Sequence, residues 1–144
     1  MRLTHYTDYS LRVLIYLGLR PERLSSIREI AAAYGISESH LMKVVQALGK
    51  GGYVATLRGR GGGLKLAKSP SEIGVGEVVR RTEDDVALAD CFVPGPECRI
   101  DGPCRLQHLL REALRAFFAV LDQYTLADLL QPNRSLLKAS LGLP

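Results

Sequence analysis

Three cysteines lie within fourteen residues, in the stretch CFVPGPECRIDGPC that runs from Cys91 to Cys104. The rest of the chain has none. Three thiols cannot all be closed into internal disulfides, so the stretch indicates metal binding or redox chemistry. The spacing C-x6-C-x5-C lacks the C-x2-C pairs that are typical of zinc ribbons. Because cysteine thiolates are the usual ligands of iron–sulfur clusters, such a cluster is favoured over zinc and over a redox-active thiol set.

A four-iron cluster has four iron corners, whereas this loop supplies only three thiolates. Two candidates exist for the fourth ligand. His108 follows Cys104 by four residues, so both side chains would face the same way on a helix, although charged neighbours there favour a solvated histidine. Asp8 lies at the start of the first predicted helix and could reach the cluster of a second subunit, or could simply cap its helix. The residues alone leave both candidates open.

The elements in front of the cysteines are predicted to be short helices. Apolar residues at helical spacing predict a first helix over about residues 7–19, with Thr7 or Asp8 as its N-cap. Ser26 and Glu29 have the S-x-x-E spacing of a capping box at the start of a second helix. This order of short helices is typical of DNA-binding domains.

A third helix is predicted from Ser37 to about Gly49, with one apolar face at spacings of three and four. Two β-prone runs at residues 53–57 and 64–66 follow it, joined by a glycine-rich stretch at 59–63 that predicts a hairpin. Three helices followed by a glycine-tipped hairpin predict a winged helix-turn-helix, which places its second motif helix in the major groove.

The charge distribution supports a polyanionic partner. The net charge is +4, and residues 1–68 carry eleven Lys/Arg against four Asp/Glu, whereas residues 69–144 carry eight against eleven. A basic front half and a mildly acidic back half predict that the front half faces double-stranded DNA. The residues predicted to contact DNA are Ser37, Ser39, His40 and Lys43 on the third helix and Arg58 and Arg60 on the hairpin.

The back half is predicted to hold a dimerisation helix. A fourth helix is expected over 74–81, and a long one over 105–124, where apolar residues repeat in a near-heptad seam. About 30 Å of helix would project beyond a small three-helix core, so the seam predicts a homodimer that reads a near-palindromic operator. A short helix is expected over 126–130 and a loose tail over 132–144.

The fold class is therefore mainly α: a winged helix-turn-helix with a small β-hairpin wing plus a long C-terminal dimerisation helix. The expected organisation is a DNA-binding domain at 1–82, a cysteine loop at 83–104, a dimerisation part at 105–131 and the tail. No signal peptide and no run of about 20 apolar residues is found, which predicts a cytoplasmic protein without a membrane partner.

Several stretches together resemble one known family. TDYSLRVLIYL, HLMKVVQALGKGGYV, RGRGGGLKLA, IGVGEVVRRTE, CRL and YTLADLL occur in this order over about residues 1–131. They resemble the NsrR-type nitric-oxide-sensing repressors, which belong to the bacterial winged-helix family of iron–sulfur regulators that includes IscR.

The resemblance implies a homodimeric repressor that binds a [4Fe–4S] cluster through Cys91, Cys98 and Cys104, with a [2Fe–2S] cluster as the weaker alternative. It implies Asp8, donated from the partner chain, as the fourth ligand. Nitric oxide would attack the cluster, and DNA affinity would fall, releasing nitric-oxide detoxification genes. Gln107 stands where IscR-type members carry a histidine, which favours the Asp8 arrangement over IscR-like ligation.

Other functions remain as alternatives. An IscR-like regulator of iron–sulfur or redox status uses the same scaffold, and ligation by His108 would favour it. A further alternative is a zinc-stabilised adaptor that does not bind DNA. Such a protein would not need Arg58 and Arg60 on the hairpin. An enzyme with a cysteine nucleophile is disfavoured, because His5, His40 and His108 are scattered and no base partner is evident. The protein is predicted not to be an enzyme.

Overall fold

The computed structural model describes residues 2–93, 95 and 98–144. In that part of the chain, a helical body carries one two-stranded hairpin, as the mainly α winged class predicts. Short 3₁₀ turns occur at Pro70–Glu72 and Asp90–Phe92. The elements are α1 (His5–Leu19), α2 (Ile27–Tyr34), α3 (Glu38–Lys50), β1 (Val54–Leu57), β2 (Gly63–Leu66), α4 (Val75–Thr82), α5 (Arg105–Leu121), α6 (Leu126–Leu130) and α7 (Arg134–Ser140).

Helix α1 begins earlier than the sequence predicts. Thr4 is its N-cap, and the Thr4 hydroxyl accepts a hydrogen bond from the backbone N–H of Thr7 at 3.3 Å. The backbone N–H of Thr4 also donates to the Glu83 carboxylate at 2.7 Å, which fixes the cap from 79 residues away. The prediction of Thr7 or Asp8 as the cap is therefore wrong, because both lie inside the helix.

The helix-turn-helix boundaries follow local signals, as predicted. The Ser26 hydroxyl accepts from the Glu29 backbone N–H at 3.1 Å, and the Glu29 carboxylate accepts from the Ser26 N–H at 2.7 Å. Gly35 ends α2 in the left-handed region, at φ 65°. Ser37 caps α3, and its hydroxyl accepts from the His40 N–H at 3.4 Å.

The core lies where α1 packs against α2, α3, α4 and α6. Each fully buried aliphatic side chain contributes about 1.5–3 kcal/mol relative to its exposed state. The principal core residues, each at most 2% exposed, are Val13, Leu14, Leu17, Leu19, Ile30, Leu41, Val44, Leu48, Ile73, Val78, Leu126 and Leu130.

The hairpin is anchored to the body at its base. Strands β1 and β2 pair antiparallel, with Val54 opposite Leu66. Leu64 in β2 also exchanges two backbone hydrogen bonds with Ser25, at 2.7 and 3.0 Å. This extra pairing joins the hairpin to the segment before α2, so only the tip at 58–62 extends from the body.

Helix α5 ends sooner than predicted. It stops at Leu121 rather than at Tyr124, so its 17 residues span about 25 Å. The chain reverses here because the carbonyl of Tyr124 accepts a hydrogen bond from the N–H of Val75 at 2.9 Å. The reversal brings α6, found at its predicted bounds, back onto α1. Helix α4 also lies within one residue of its predicted range.

The C-terminal segment is ordered, which corrects the prediction of a loose tail. Helix α7 lies within it, and Leu137 packs against the core. The Arg134 guanidinium donates to the carbonyls of Gly18 and Leu19 at 3.0 and 3.1 Å. The last carbonyls of a helix lack intrahelical partners, so Arg134 satisfies two acceptors at the end of α1. Among the described residues, no helix is both long and apolar enough to cross a membrane.

Candidate metal centre and nucleic-acid interface

The three cysteines are free thiols on the outer surface of the protein. Cys91 lies in the Asp90–Phe92 turn and is exposed, as is Cys98. Cys104 is partly buried and is the N-cap of α5, as the sequence predicts. The helix dipole there favours negative charge, which suits a thiolate ligand.

The segment that carries the thiols has few bonds to the body. Among its described residues, the backbone hydrogen bonds are local, such as Phe92 N–H to Ala89 carbonyl and Asp101 N–H to Cys98 carbonyl, both 2.9 Å. One contact reaches α5, where the Arg111 guanidinium lies 5.5 Å from the centre of the Phe92 ring. Residues 94, 96 and 97 of the predicted cysteine loop lie outside the described residues.

Asp8 presents its carboxylate at the surface of α1. It lies in the first turn of the helix, and its side chain is 42% exposed. The Nε of Arg12, one turn later, donates to Oδ1 of the carboxylate at 3.1 Å and lies 3.0 Å from Oδ2. The carboxylate therefore has no capping role and pairs with a single cation.

Metal-binding side chains do not cluster within the described residues. Within the described residues, no three His, Cys, Asp or Glu side chains lie close enough together to hold a metal ion. His108 is exposed on α5, one turn beyond Cys104. The donor types nevertheless fit an iron–sulfur centre, because three free, accessible thiols lie on one segment that the body does not otherwise fix.

Helix α3 divides into a buried and an exposed face. Leu41, Val44, Val45 and Leu48 are at most 5% exposed and pack into the core. Each predicted DNA contact on this helix lies outside that buried face. Glu38, Met42 and Gln46 are also exposed but are not among the predicted DNA contacts, although the helical spacing of Met42 and Gln46 from Ser39 could have revealed them. The exposed residues are Ser37, Glu38, Ser39, His40, Met42, Lys43 and Gln46.

The hairpin tip carries two exposed cations, Arg58 and Arg60. Gly59 and Gly61 have φ values of 97° and 78°, a region that other residues rarely adopt. At Gly62 a side chain would collide with the carbonyl of Leu57 in β1. The glycines therefore allow a tight tip that exposes both guanidinium groups.

An aromatic contact joins α1 to α3. The Tyr9 ring lies 5.6 Å from the His5 ring and 6.4 Å from the His40 ring. The three side chains, together with Lys43, line a cavity of about 400 Å³. Tyr9 directly follows Asp8 in the sequence. The turn of α1 that carries Asp8, a candidate cluster ligand, therefore packs against α3. Nothing in the residue spacing signals this tertiary contact.

Helix α5 has an unusually apolar exterior. Of its residues, only Phe118 is buried, whereas Leu106, Leu109 and Val120 are 54–61% exposed. A groove of about 480 Å³ lies beside its middle, lined in part by Leu114 and Phe117. Contacts with the rest of the chain therefore bury only a small part of the apolar face of α5.

An ion pair fastens α5 to the body at its C-terminal end. The Arg80 guanidinium donates two hydrogen bonds to the Asp122 carboxylate at 2.6 and 2.7 Å. It also lies 4.3 Å from the centre of the Phe118 ring. The hydrogen bonds from Arg80 hold the pKa of Asp122 below its ordinary value. The attachment of α5 is therefore concentrated near its last turn.

Comparison with known proteins places this geometry in context. A family model described as "Rrf2: Iron-dependent Transcriptional regulator" matches residues 3–132. The HTH-type transcriptional regulator NsrR of Bacillus subtilis (strain 168) is 54% identical over 140 residues, covering 96% of each chain. The regulator of the same name from Geobacillus kaustophilus (strain HTA426) is 54% identical over 147 residues, covering 99% of this chain and 100% of the relative.

Solved structures share the fold. The global cysteine regulator CymR (YrzC) of B. subtilis matches with a TM-score of 0.74 and 28% identity, over 90% of this chain and 95% of its own. T. potens IscR matches with a TM-score of 0.74 and 26% identity, over 91% of this chain and 87% of its own. The neighbours support the winged-helix assignment.

Proposed function

The chain belongs to the Rrf2 family of transcriptional regulators, and from this we propose that it is a homodimeric repressor that senses nitric oxide through a [4Fe–4S] cluster. The observation that carries the proposal is the set of three free thiols in the segment that leads into α5, in a chain 54% identical to NsrR regulators. The genes under its control would serve nitric-oxide detoxification.

DNA binding is proposed for α3 and the wing. The exposed face of α3 would enter the major groove, where Ser37, Ser39, His40 and Lys43 can reach phosphates or base edges. Arg58 and Arg60 at the hairpin tip would enter an adjacent minor groove, where negative potential attracts guanidinium groups.

Dimerisation is proposed for the exposed face of α5. A helix of 17 residues that buries only Phe118 leaves a large apolar surface in water, as interaction surfaces do. Leu106 and Leu109 lie at its N-terminal end, next to Cys104. A two-fold dimer would present two α3 helices, so the operator should be near-palindromic.

The proposed ligands are Cys91, Cys98 and Cys104 of one chain and Asp8 of the other. Three thiolates leave one corner of a four-iron cluster without a ligand, and the Asp8 carboxylate is accessible at the surface, which supports this arrangement. When bound, the cluster supplies iron that reacts with nitric oxide. A carboxylate oxygen is a harder ligand than a thiolate, so Asp8 should be the most easily displaced donor.

The residues around Asp8 suggest how its release reaches the DNA-binding face. Arg12 holds the carboxylate at 3.0 Å, so ligation by Asp8 and pairing with Arg12 would compete. Tyr9, the next residue, packs against His40 of α3. A change in the turn at Asp8 would therefore bias the position of α3, which couples the two sites.

The test begins with anaerobic purification. The proposal predicts a brown protein with about four iron and four sulfide per chain, bleached by nitric oxide. Fluorescence anisotropy with a selected operator should show tight binding before nitric oxide and a loss of affinity after it. A colourless zinc protein, or DNA binding unaffected by nitric oxide, would refute the proposal.

A matched pair of variants separates this function from an IscR-like one. The Asp8→Ala variant should hold a cluster that chelators remove faster than the wild-type cluster. Its DNA binding should also respond differently to nitric oxide. His108→Ala should behave as the wild type, because His108 is exposed and has no proposed ligand role. The reverse pattern would favour an IscR-like regulator with a histidine ligand.

A further inference from the structure

Met42 is an apolar side chain that the fold does not use. It lies on α3 and is 60% exposed. Among the large apolar side chains of residues 2–82, Leu3 and Leu57 are the other exposed ones, at 38% and 44%. Its neighbours Leu41 and Val44 are buried, so the core of the helix-turn-helix is complete without it. An exposed methionine on this helix therefore requires another explanation.

The surroundings of Met42 are polar. Ser39 lies one turn before it, Gln46 one turn after it, and Lys43 beside it, all exposed. At 1.5 Å per residue the row from Ser39 to Gln46 spans about 10 Å, which corresponds to about three base pairs at 3.4 Å each. The row thus offers hydrogen-bonding groups at both ends and an apolar group at its centre.

A protein partner would account less well for this residue. The apolar face proposed for dimerisation lies on α5, at Leu106 and Leu109, whereas α3 contacts α1, α2 and β1. A single thioether among Ser39, Lys43 and Gln46 makes no continuous apolar patch. A cationic and polar face with one apolar centre suits the major groove of DNA better than the surface of a protein.

We infer that Met42 is a specificity-determining residue that contacts the 5-methyl group of a thymine in each operator half-site. The inference rests on the proposed function, because it requires α3 to enter the major groove. The thymine methyl is the one apolar group on the base edges there. The unbranched methionine side chain can adapt to its position. Opposite a G·C pair, it would displace water without replacing the lost hydrogen bonds.

The experiment uses the anaerobically purified protein and DNA selected from a random-sequence duplex library. Each thymine of the selected operator is replaced in turn by deoxyuridine, symmetrically in both half-sites, which removes only the methyl group. The expected result is one thymine position per half-site at which the change weakens wild-type binding by about fourfold for each half-site, the size expected for one methyl group in an apolar contact.

Substitutions at Met42 and Lys43, each measured on the thymine and uracil operators, form a double-mutant cycle. Met42→Ala should bind the thymine operator about fourfold per half-site more weakly than the wild type and should not distinguish thymine from uracil at that position. Met42→Gln, which keeps the side-chain length, should lose the same discrimination. The matched control Lys43→Ala should bind both operators more weakly by equal factors and keep the discrimination.

Three outcomes would overturn the inference. Equal uracil sensitivity in the wild type and Met42→Ala would assign the effect to DNA shape instead of Met42. Full affinity at every uracil-substituted position would exclude a methyl contact altogether. If the selection enriches no duplex, the proposed function is overturned as well. If it enriches a duplex that Arg60→Ala binds weakly, but wild-type binding to that duplex is insensitive to uracil, only the inference about Met42 is overturned.

Discussion

The winged-helix body and the cysteine-bearing outer region are stabilised in different ways. In the body, residues 4–82, the apolar side chains of the core are at most 5% exposed, and helix caps and ion pairs lie within the chain. In the outer region, residues 84–116, the thiols are free and Leu106 and Leu109 face solvent. The body provides its own contacts, whereas the outer region presents groups suited to a cluster and a second chain.

This difference predicts which perturbations each region tolerates. Loss of a core contact should unfold the body whether or not the cluster is bound. Loss of a thiol should abolish the cofactor while the body stays folded. A substitution in the outer region should therefore change cofactor content or oligomeric state with little effect on the unfolding of the isolated chain.

The largest expected effect is on iron content. Cys98→Ala removes one of three thiolate ligands, so iron and sulfide should fall from about four per chain to nearly zero. The measurement is anaerobic elemental analysis together with visible absorbance. The thermal unfolding of this variant should match that of cluster-free wild type. Full iron content would exclude Cys98 as a ligand, and a collapsed fold would remove the distinction between the two regions.

A second pair of variants compares leucines of equal size in the two regions. Leu41 is fully buried in α3, so Leu41→Ala should lower the free energy of unfolding by about 2–5 kcal/mol. Leu109 is 60% exposed on α5, so Leu109→Ala should instead weaken the dimer. Urea unfolding measures the first effect, and analytical ultracentrifugation over a range of concentrations measures the second. Equal losses of unfolding free energy would contradict the comparison.

The body should also respond to alkaline pH. Burial raises the pKa of Tyr34 to about 12, and burial with a hydrogen bond to Glu77 raises the pKa of Tyr53 to about 12. Neutral tyrosine is favoured in the folded state, so this stability is present below the ordinary value of 10 and is lost as pH rises towards 12. Melting temperatures across this range should fall for the wild type.

Phenylalanine variants provide the control for this pH effect. Tyr34→Phe removes one titrating group without removing the ring, so the alkaline loss of stability should be smaller in that variant. Phenolate absorbance should show two late-titrating tyrosines in the wild type and one in the variant. An unchanged alkaline profile would show that Tyr34 is not held neutral by the fold.

The smallest expected effect is at the junction of the two regions. Hydrogen bonds from Arg80 lower the pKa of Asp122, so the stabilisation by this pair is present above the ordinary pKa of a carboxyl group and is lost as pH falls through the lowered value. Asp122→Asn should slightly lower the melting temperature at neutral pH. Because both side chains are nearly half exposed, salt should reduce the difference.

Acid pH is the matched condition for this variant. Below the lowered pKa of Asp122 the wild type and Asp122→Asn should melt at the same temperature. A difference that persists in acid would mean that the amide disturbs packing against Gly76 or Phe118 rather than removing an ion pair.

Sequence reasoning succeeded where the signals are local. The Ser26–Glu29 capping box and the Gly35 stop are formed by residues within one turn of the helix end that they define. The α3 stripe also follows from spacing alone. Thr4 could not be chosen over Thr7 as the cap of α1, because Glu83, distant in sequence, makes the deciding contact. Helix α7 was missed for the same reason, since Arg134 depends on carbonyls of α1.

The candidate site likewise has residues that local sequence signals identify and contacts that they do not. The cysteines and the exposed residues of α3 were identified from residue type and spacing. The contact between Tyr9 and His40 joins two helices and has no signature in the sequence. The role of Asp8 as a ligand stays a prediction, because it depends on a second chain.

Mixed dimers test the central claim, that the outer region is completed by the partner chain. Asp8→Ala and Cys98→Ala chains are co-expressed with different affinity tags, and the heterodimer is isolated anaerobically. If Asp8 acts across subunits, one site in the heterodimer has every ligand, although neither homodimer has a complete site. We predict one cluster per heterodimer that a chelator removes at the wild-type rate. A heterodimer whose cluster is lost as fast as that of the Asp8→Ala homodimer would contradict the account.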